Sequence, residues 1–327
     1  MNRTKSTKSR NARKMFCTTP FVVCLAWSCC SWLIACNRGA TTTTGRPRIA
    51  FVLKTLNSPF FNDMQRGAED AAKALDVDLV VQAADREIDV ERQMQIVENL
   101  LQTGISALCL TPSGSKEVVP AVVKANRANI PVVVVDTRLD PSAASEAGAK
   151  IASFTGSDNY EGGRIAARFI TSTSAGRAKV AVLEGIPGHE TGDSRLRGFR
   201  DGIKDTPDVQ IVASQTANWE RDQGFNVFQN MLQAHPEVDT VFACNDMMAL
   251  GAMEAIRAAG KTGKIRVVGF DAVEDARKAI EEGTMAASVA QFPDEMGRVA
   301  VENAVRALRG EAVPSDVKVR IELVTKK

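Results

Sequence analysis

The sequence predicts an α/β fold of two doubly wound lobes, and three observations carry that expectation. From Arg48 onward, short apolar runs rich in β-branched residues alternate with helix-length segments. The runs are nearly all apolar rather than alternating apolar with polar, the pattern of strands buried on both faces of a parallel sheet. About ten such runs are too many for one small sheet, so two α/β lobes are expected.

The strands are read at Ile49–Leu53, Asp78–Gln82, Ala107–Leu110, Val132–Val135, Val180–Leu183, Val209–Ala213, Thr240–Ala243, Val267–Gly269 and Ala287–Ala290. Helices with legible ends lie between them. Ser58-Pro59 supplies an N-cap and a proline for the first turn of a helix over Phe61–Leu75. Asn245 caps a helix running through Ala259, and Gly260 ends it. Pro293 opens a last long helix that Gly310 closes. Near Ser153–Asp158 the rhythm resets and a second βαβ series begins.

The segment upstream of this body has a different character. Arg3, Lys5, Lys8, Arg10, Arg13 and Lys14 form a basic start with no acidic residue, and Phe16 to Ala35 is mostly apolar. The run ends in Leu33-Ile34-Ala35-Cys36, which resembles the lipobox of bacterial lipoprotein precursors. Residues 1–35 are therefore expected to be a lipoprotein signal peptide, with Cys36 lipidated after cleavage. An uncleaved anchor is the alternative, because the run has about the 20 residues a spanning helix needs. Pro20, Thr18 and Thr19 weaken that helix. Both readings put the body on the outer side of the cytoplasmic membrane, in the cell envelope. Residues 36–47 comprise Cys36 and a flexible tether almost without large apolar side chains.

Composition narrows the function. Removing residues 1–35 takes away 6 of the 41 Lys+Arg and none of the 39 Asp+Glu, leaving a mildly acidic body. No case for nucleic-acid binding follows. Five of the seven cysteines lie in residues 1–36. The other two, Cys109 and Cys244, sit in apolar strand-like runs and read as buried core thiols, with no disulfide framework. His189 and His235 are the only histidines. Neither has metal-ligand spacing, and both read as solvated loop or helix-end residues. No nucleotide-binding or nucleophile-elbow motif occurs, and no cofactor is expected.

Ligands of open parallel sheets bind beyond the carboxyl ends of the strands. The residues after the apolar runs are Lys54, Asn57, Phe60 and Phe61, then Thr111, Asp136, Asn245 with Asp246, Phe270 with Asp271, and Gln291. Aromatic rings recur there beside carboxylates, amides and a cation, and no obvious catalytic set accompanies them. That mixture suits a sugar or polyol, with rings against C–H faces and polar groups on hydroxyls. Asn245 is equally a helix cap.

Eight segments taken together resemble the ribose-type periplasmic sugar-binding proteins, the solute receptors of ABC transporters. They are KTLNSPFF (54–61), VVVDTR (133–138), GSDNYEGG (156–163), DSRLRGF (193–199), ANWERDQGFNV (217–227), FACNDMMALGA (242–252), VVGFDAVED (267–275) and AQFPDEMG (290–297). The resemblance spans Arg48 to Lys327. It implies the type I periplasmic binding protein fold, two Rossmann-like lobes joined by three crossovers near Gly156–Asp158, Gln291–Phe292 and Arg320–Ile321. Residues 48–157 and 292–320 would form the N-terminal lobe, and 158–291 and 321–327 the C-terminal lobe. It further implies sugar contacts at Ser58, Phe60, Phe61, Asp136, Arg195, Trp219, Asn245, Phe270, Asp271 and Gln291. Phe60 and Phe61 would face Trp219 and Phe270 across the ring. Arg195 also reads as a surface helix residue like Arg197 and Arg200.

The departures concern the ligand. Ribose-binding members carry arginine directly after the aspartate matching Asp136, where this chain has Thr137. Their asparagines become Ser58 and Thr111. Lys54 and Trp219 look like the allose-binding branch, and Phe270 fits the ribose pattern. The implied function is capture of a monosaccharide such as ribose, allose or a related polyol by hinge closure, and delivery by a monomer to an ABC permease. Output to a chemoreceptor or sensor kinase is an alternative. So is the effector core of a LacI-type repressor, although the N-terminus offers an export segment where a helix-turn-helix is needed. An enzyme would have to use Asp136 and Asp271 as paired carboxylates, and no catalysis is expected.

Overall fold

The computed structural model describes residues 45–326, and Gly45–Lys327 forms one compact unit. The expected signal peptide, Cys36 and nearly all of the tether lie outside the described residues.

The body is built as a repeat of strand and helix. The first series runs β1 (Arg48–Thr55), α1 (Pro59–Leu75), β2 (Asp78–Ala84), α2 (Val90–Leu101), β3 (Ala107–Leu110), α3 (Val119–Arg127), β4 (Val132–Val135), α4 (Pro141–Ala147) and β5 (Ser153–Ser157). The second runs α5 (Asn159–Thr173), β6 (Ala178–Glu184), α6 (Glu190–Ile203), β7 (Val209–Thr216), α7 (Arg221–Ala234), β8 (Thr240–Ala243), α8 (Asp246–Ala258), β9 (Arg266–Asp271), α9 (Glu274–Glu282) and β10 (Ala287–Ala290). The chain closes with α10 (Pro293–Leu308), β11 (Asp316–Val319) and β12 (Glu322–Thr325).

The strands form two six-stranded sheets. Their orders are β11-β5-β4-β3-β1-β2 and β12-β10-β9-β8-β6-β7. Pairing is parallel throughout except where β12 runs antiparallel to β10. The chain therefore passes between the sheets three times: after β5, through Gln291-Phe292, and through Arg320-Ile321.

Central strands are apolar because both faces are covered. β3, β4 and β8 are buried along their whole length. One face of the first sheet packs Ile49, Phe51 and Leu53 against α1 and α10, and the other packs Ala50 and Val52 against α2 and α3. The second sheet builds its own core around Phe199, Phe228 and Phe242. Cys109 and Cys244 are buried in these cores, and burial pushes both thiols up to about 12.

Three strands escape the apolar-run reading. β5, SFTGS, carries serine, threonine and glycine, while β11 and β12 are short edge strands with charged positions. Edge strands bury one face at most, so their sequences need not be apolar.

Candidate functional site

The carboxyl ends of the two sheets face one another across a small cavity. Ten of the eleven ligand contacts expected from sequence line it: Lys54, Ser58, Phe60, Phe61, Asp136, Arg195, Trp219, Asn245, Asp271 and Gln291. Glu87 and Thr191 line it too and were not anticipated.

The first sheet supplies a charged group and an aromatic pair. Lys54, near the end of β1, places Nζ 3.0 Å from Asp136 Oδ2 and 3.7 Å from Glu87 Oε2, with its side chain only 3 % exposed. The Thr137 hydroxyl donates to the same Asp136 oxygen at 3.0 Å. Phe60 and Phe61 open α1 and meet edge to face, with centroids 5.2 Å apart. Ser58 is the residue before that helix and makes no side-chain cap bond.

The second sheet supplies a guanidinium held from several sides. Arg195, on α6, donates from Nε to Asn159 Oδ1 at 2.9 Å and from Nη1 to the Cys244 carbonyl at 2.6 Å. Its Nη1 lies 3.6 Å from Asp271, whose carboxylate also accepts from the Gln291 amide at 2.7 Å. At 4 % exposure Arg195 is not a surface helix residue like Arg197 and Arg200. Asn245 both caps and lines: its carbonyl accepts from Met248 N–H, and its amide donates to the Trp219 carbonyl.

Phe270 is the expected contact that does not line the cavity. Successive side chains of a strand point to opposite faces, and Asp271 takes the cavity side. The Phe270 ring lies beneath Arg195, 3.8 Å from the guanidinium carbon to its centroid, and supports that cation from behind. Trp219 reaches the cavity because glycine leaves it room: a Cβ on Gly185 would sit 1.9 Å from the indole. Its Nε1 is buried without a partner among the described residues, as is Gln291 Oε1.

Backbone strain collects here. Asp136 (φ 63°), Trp219 (φ 68°) and Asp271 (φ 108°) all have positive φ without being glycine. Such conformations persist where surrounding structure imposes them, and they cluster at binding sites.

Other strand-end residues have structural duties. The Thr111 hydroxyl donates to the Val52 carbonyl, and the Asn57 amide to the Asp85 carbonyl. Asp246 is fully buried and braces the start of α9, accepting from Val273 N–H and the Ser288 hydroxyl. Burial and the nearby Asp271 hold its carboxyl well above the usual range.

Burial also raises two cavity acids. Glu87 is pushed up to about 7, with Lys54 opposing, and Asp271 to about 6, with Arg195 opposing.

Contacts bridge the two sheets beyond the cavity. Arg86 and Glu220 form a two-pronged ion pair at 2.7 and 2.8 Å. Glu190 N–H donates to the Ser115 hydroxyl. His189 is 3 % exposed and pairs through Nε2 with the Ser113 carbonyl at 2.6 Å. This corrects the expectation of a solvated histidine: residue 189 opens α6 at the point where that helix meets the other lobe. Burial, with Lys54 nearby, pushes His189 down to about 4. His235, exposed beside Glu237, agrees with its reading.

Among the described residues no cluster of His, Cys, Asp and Glu could hold a metal ion. No described helix is long and apolar enough to cross a membrane.

Comparison with known proteins sets this geometry in a family. Residues 49–312 match the periplasmic binding protein domain. The chain is 39 % identical to the ribose import binding protein of Escherichia coli over 278 residues, 85 % of this chain and 90 % of that protein. It is 35 % identical to the D-allose-binding periplasmic protein of the same organism, over 87 % of this chain and 92 % of that one. A solved ABC-transporter solute-binding protein of Actinobacillus succinogenes, with bound D-allose, superposes with a TM-score of 0.81 at 38 % identity, covering 86 % of this chain and 98 % of that one. The chain belongs to the periplasmic binding protein family.

Proposed function

We propose that this member of the periplasmic binding protein family is the solute receptor of a sugar importer. It captures one monosaccharide between its lobes and delivers it to an ABC permease. The observation that carries the reading is the pairing of half-sites: Lys54–Asp136 with Phe60 and Phe61 on one lobe, and Arg195–Asp271 with Trp219 on the other, around one cavity. Cations, carboxylates and amides serve hydroxyls, and aromatic rings serve C–H faces.

The lobes, 48–157 with 292–320 and 158–291 with 321–327, move as rigid bodies about the three crossovers. Sugar touching both halves favours the closed form, because only differential contact shifts a population. The relatives named above are sugar-binding proteins, and the proposed role is likewise capture without turnover. Lys54 and Trp219 follow the allose-type pattern, so D-allose and D-ribose are the first ligands to compare.

Cys36 serves as the lipid anchor, with two or more acyl chains for stable attachment, and the tether keeps a monomeric receptor concentrated beside its permease. A Cys36→Ser chain is expected to be released from the membrane or left unprocessed while its body still binds sugar. Membrane attachment and processing of Cys36→Ser unchanged from wild type would remove the anchor reading.

A thermal-shift screen over pentoses, hexoses and polyols tests the main proposal. One sugar or a small group raises Tm in a concentration-dependent way. A flat response across the panel, with calorimetry also silent, overturns it.

A further inference from the structure

Glu87 stands apart from the other acids of the cavity. Asp136 has Lys54 at 3.0 Å and the Thr137 hydroxyl. Asp271 has the Gln291 amide and the Arg195 guanidinium. The Glu87 carboxylate lies 3.7 Å from a Lys54 ammonium already engaged by Asp136, and its side chain is 12 % exposed. Charge and burial act on it, and no described residue gives its carboxylate a hydrogen bond. Three carboxylates thus share two cations in one small cavity. A half-buried acid that shares its one cation with Asp136 keeps lone pairs free for a bound molecule.

Its position says where that bond is made. Glu87 lies in the loop after β2, the edge strand of the first sheet, and Trp219 lies after β7, the edge strand of the second. Ser58, Glu87 and Trp219 line both the cavity and an outer pocket, so they form the wall between the site and solvent. Arg86 and Glu220 close the lobes together on this side.

We infer that Glu87 is a specificity-determining ligand residue: its carboxylate accepts a hydrogen bond from one sugar hydroxyl at the β2/β7 edge of the site. The inference rests on the monosaccharide reading above. A carboxylate accepting from a hydroxyl makes a charge-assisted bond, stronger than a neutral one. A sugar lacking that hydroxyl leaves the acid buried and unpaired, which is how polar sites reject deoxy analogues. The excess of carboxylates over cations also disfavours uronic acids and sugar phosphates by like-charge repulsion.

The test is a cycle between protein and ligand. The full chain, its Glu87→Ala variant and its Glu87→Gln variant are titrated calorimetrically with D-allose or D-ribose, whichever binds wild type more tightly, and with each monodeoxy derivative of that sugar. Glu87→Ala is expected to weaken the parent sugar by about tenfold or more. One monodeoxy derivative should bind wild type and Glu87→Ala within about twofold, while the others keep the full loss. A purely structural role would weaken every sugar by the same factor. Glu87→Gln keeps the shape and repeats the cycle if the alanine variant does not fold, with the same single hydroxyl coupled. A uniform loss across all derivatives, or no loss, overturns the inference and leaves the sugar reading intact. Failure of wild type to bind either sugar, or any in the wider panel, overturns both.

Discussion

The two halves of the site are built differently. In the C-terminal half, Arg195 is fixed by Asn159, the Cys244 carbonyl, Asp271 and the Phe270 ring, and Asn245 is fixed by its cap and the Trp219 carbonyl. In the N-terminal half, Lys54, Asp136 and Glu87 hold one another by charge, with the Thr137 hydroxyl as the one hydrogen-bond donor to Asp136 among neighbouring side chains besides Lys54. The first half is a frame whose charged groups are held in place before ligand arrives, while Trp219 Nε1 and Gln291 Oε1 have no partner among the described residues. The second has capacity to spare. Preorganised groups fix orientation and adaptable ones decide identity.

That asymmetry predicts unequal costs. Arg195→Ala leaves Asp271 without its cation and the Cys244 carbonyl and Asn159 without their donor. A loss of ~3–5 kcal/mol in stability is expected, together with loss of detectable sugar binding. Denaturant unfolding and calorimetry measure both. Lys54→Met breaks an ion pair that supports no backbone group, and Asp136 keeps the Thr137 hydroxyl as a donor. Its stability cost is expected to be about 1–3 kcal/mol, with a changed ranking among sugars. Equal destabilisation by the two variants would break the comparison.

Each half carries one acid raised by burial. Glu87 and Asp271 have folded-state values of about 7 and about 6, above the ordinary carboxylate range near 4. Their stabilising contribution is full below about pH 4 and is lost as pH rises through 6 and 7. The Tm of sugar-free protein should therefore fall between pH 5 and 8, and Glu87→Gln should flatten the upper part of that fall. His189 acts in the opposite direction. Its folded value of about 4 lies below the ordinary 6.5, so its contribution is present above pH 6.5 and lost as pH falls toward 4. A His189→Gln variant should lose that acid limb alone. Melting curves across this range distinguish the two.

The smallest effect belongs to the latch outside the cavity. Arg86 is half exposed, and exposed ion pairs contribute little because solvent screens them. Glu220→Gln should weaken sugar binding by less than about fivefold, and added salt should produce most of the same loss in wild type. A larger effect would move weight from the cavity to the latch.

Much of this was legible in the sequence, for identifiable reasons. Apolar runs such as VVVV at 132–135 expose their parallel-sheet role directly, and Asp136 follows at the strand end where ligands bind. Glu87 was missed because β2 is an edge strand of mixed polarity. Its apolar run was taken to stop at Gln82, whereas the strand continues to Ala84 and the loop beyond it turns into the site. Thr191 sits in the first turn of α6, where sequence gives no sign of which lobe it faces. The resemblance implies contacts at both Phe270 and Asp271, and of the two Asp271 lines the cavity while Phe270 packs under Arg195. His189 looked solvated because its partner, the Ser113 carbonyl, belongs to the other lobe. Local pattern finds strand ends, while contacts across the cleft depend on the closed arrangement of both lobes.

The central claim is that sugar binds between these unlike halves, against Trp219. Trp27 and Trp32 precede the described body, so Trp219 is the only tryptophan in the compact unit from residue 45 onward. Titrating that unit with D-allose and D-ribose while following tryptophan emission tests the claim, with calorimetry fixing saturation independently. The account predicts one sugar per chain and an emission change that saturates with the heat. Saturable binding that leaves Trp219 emission unchanged would contradict it.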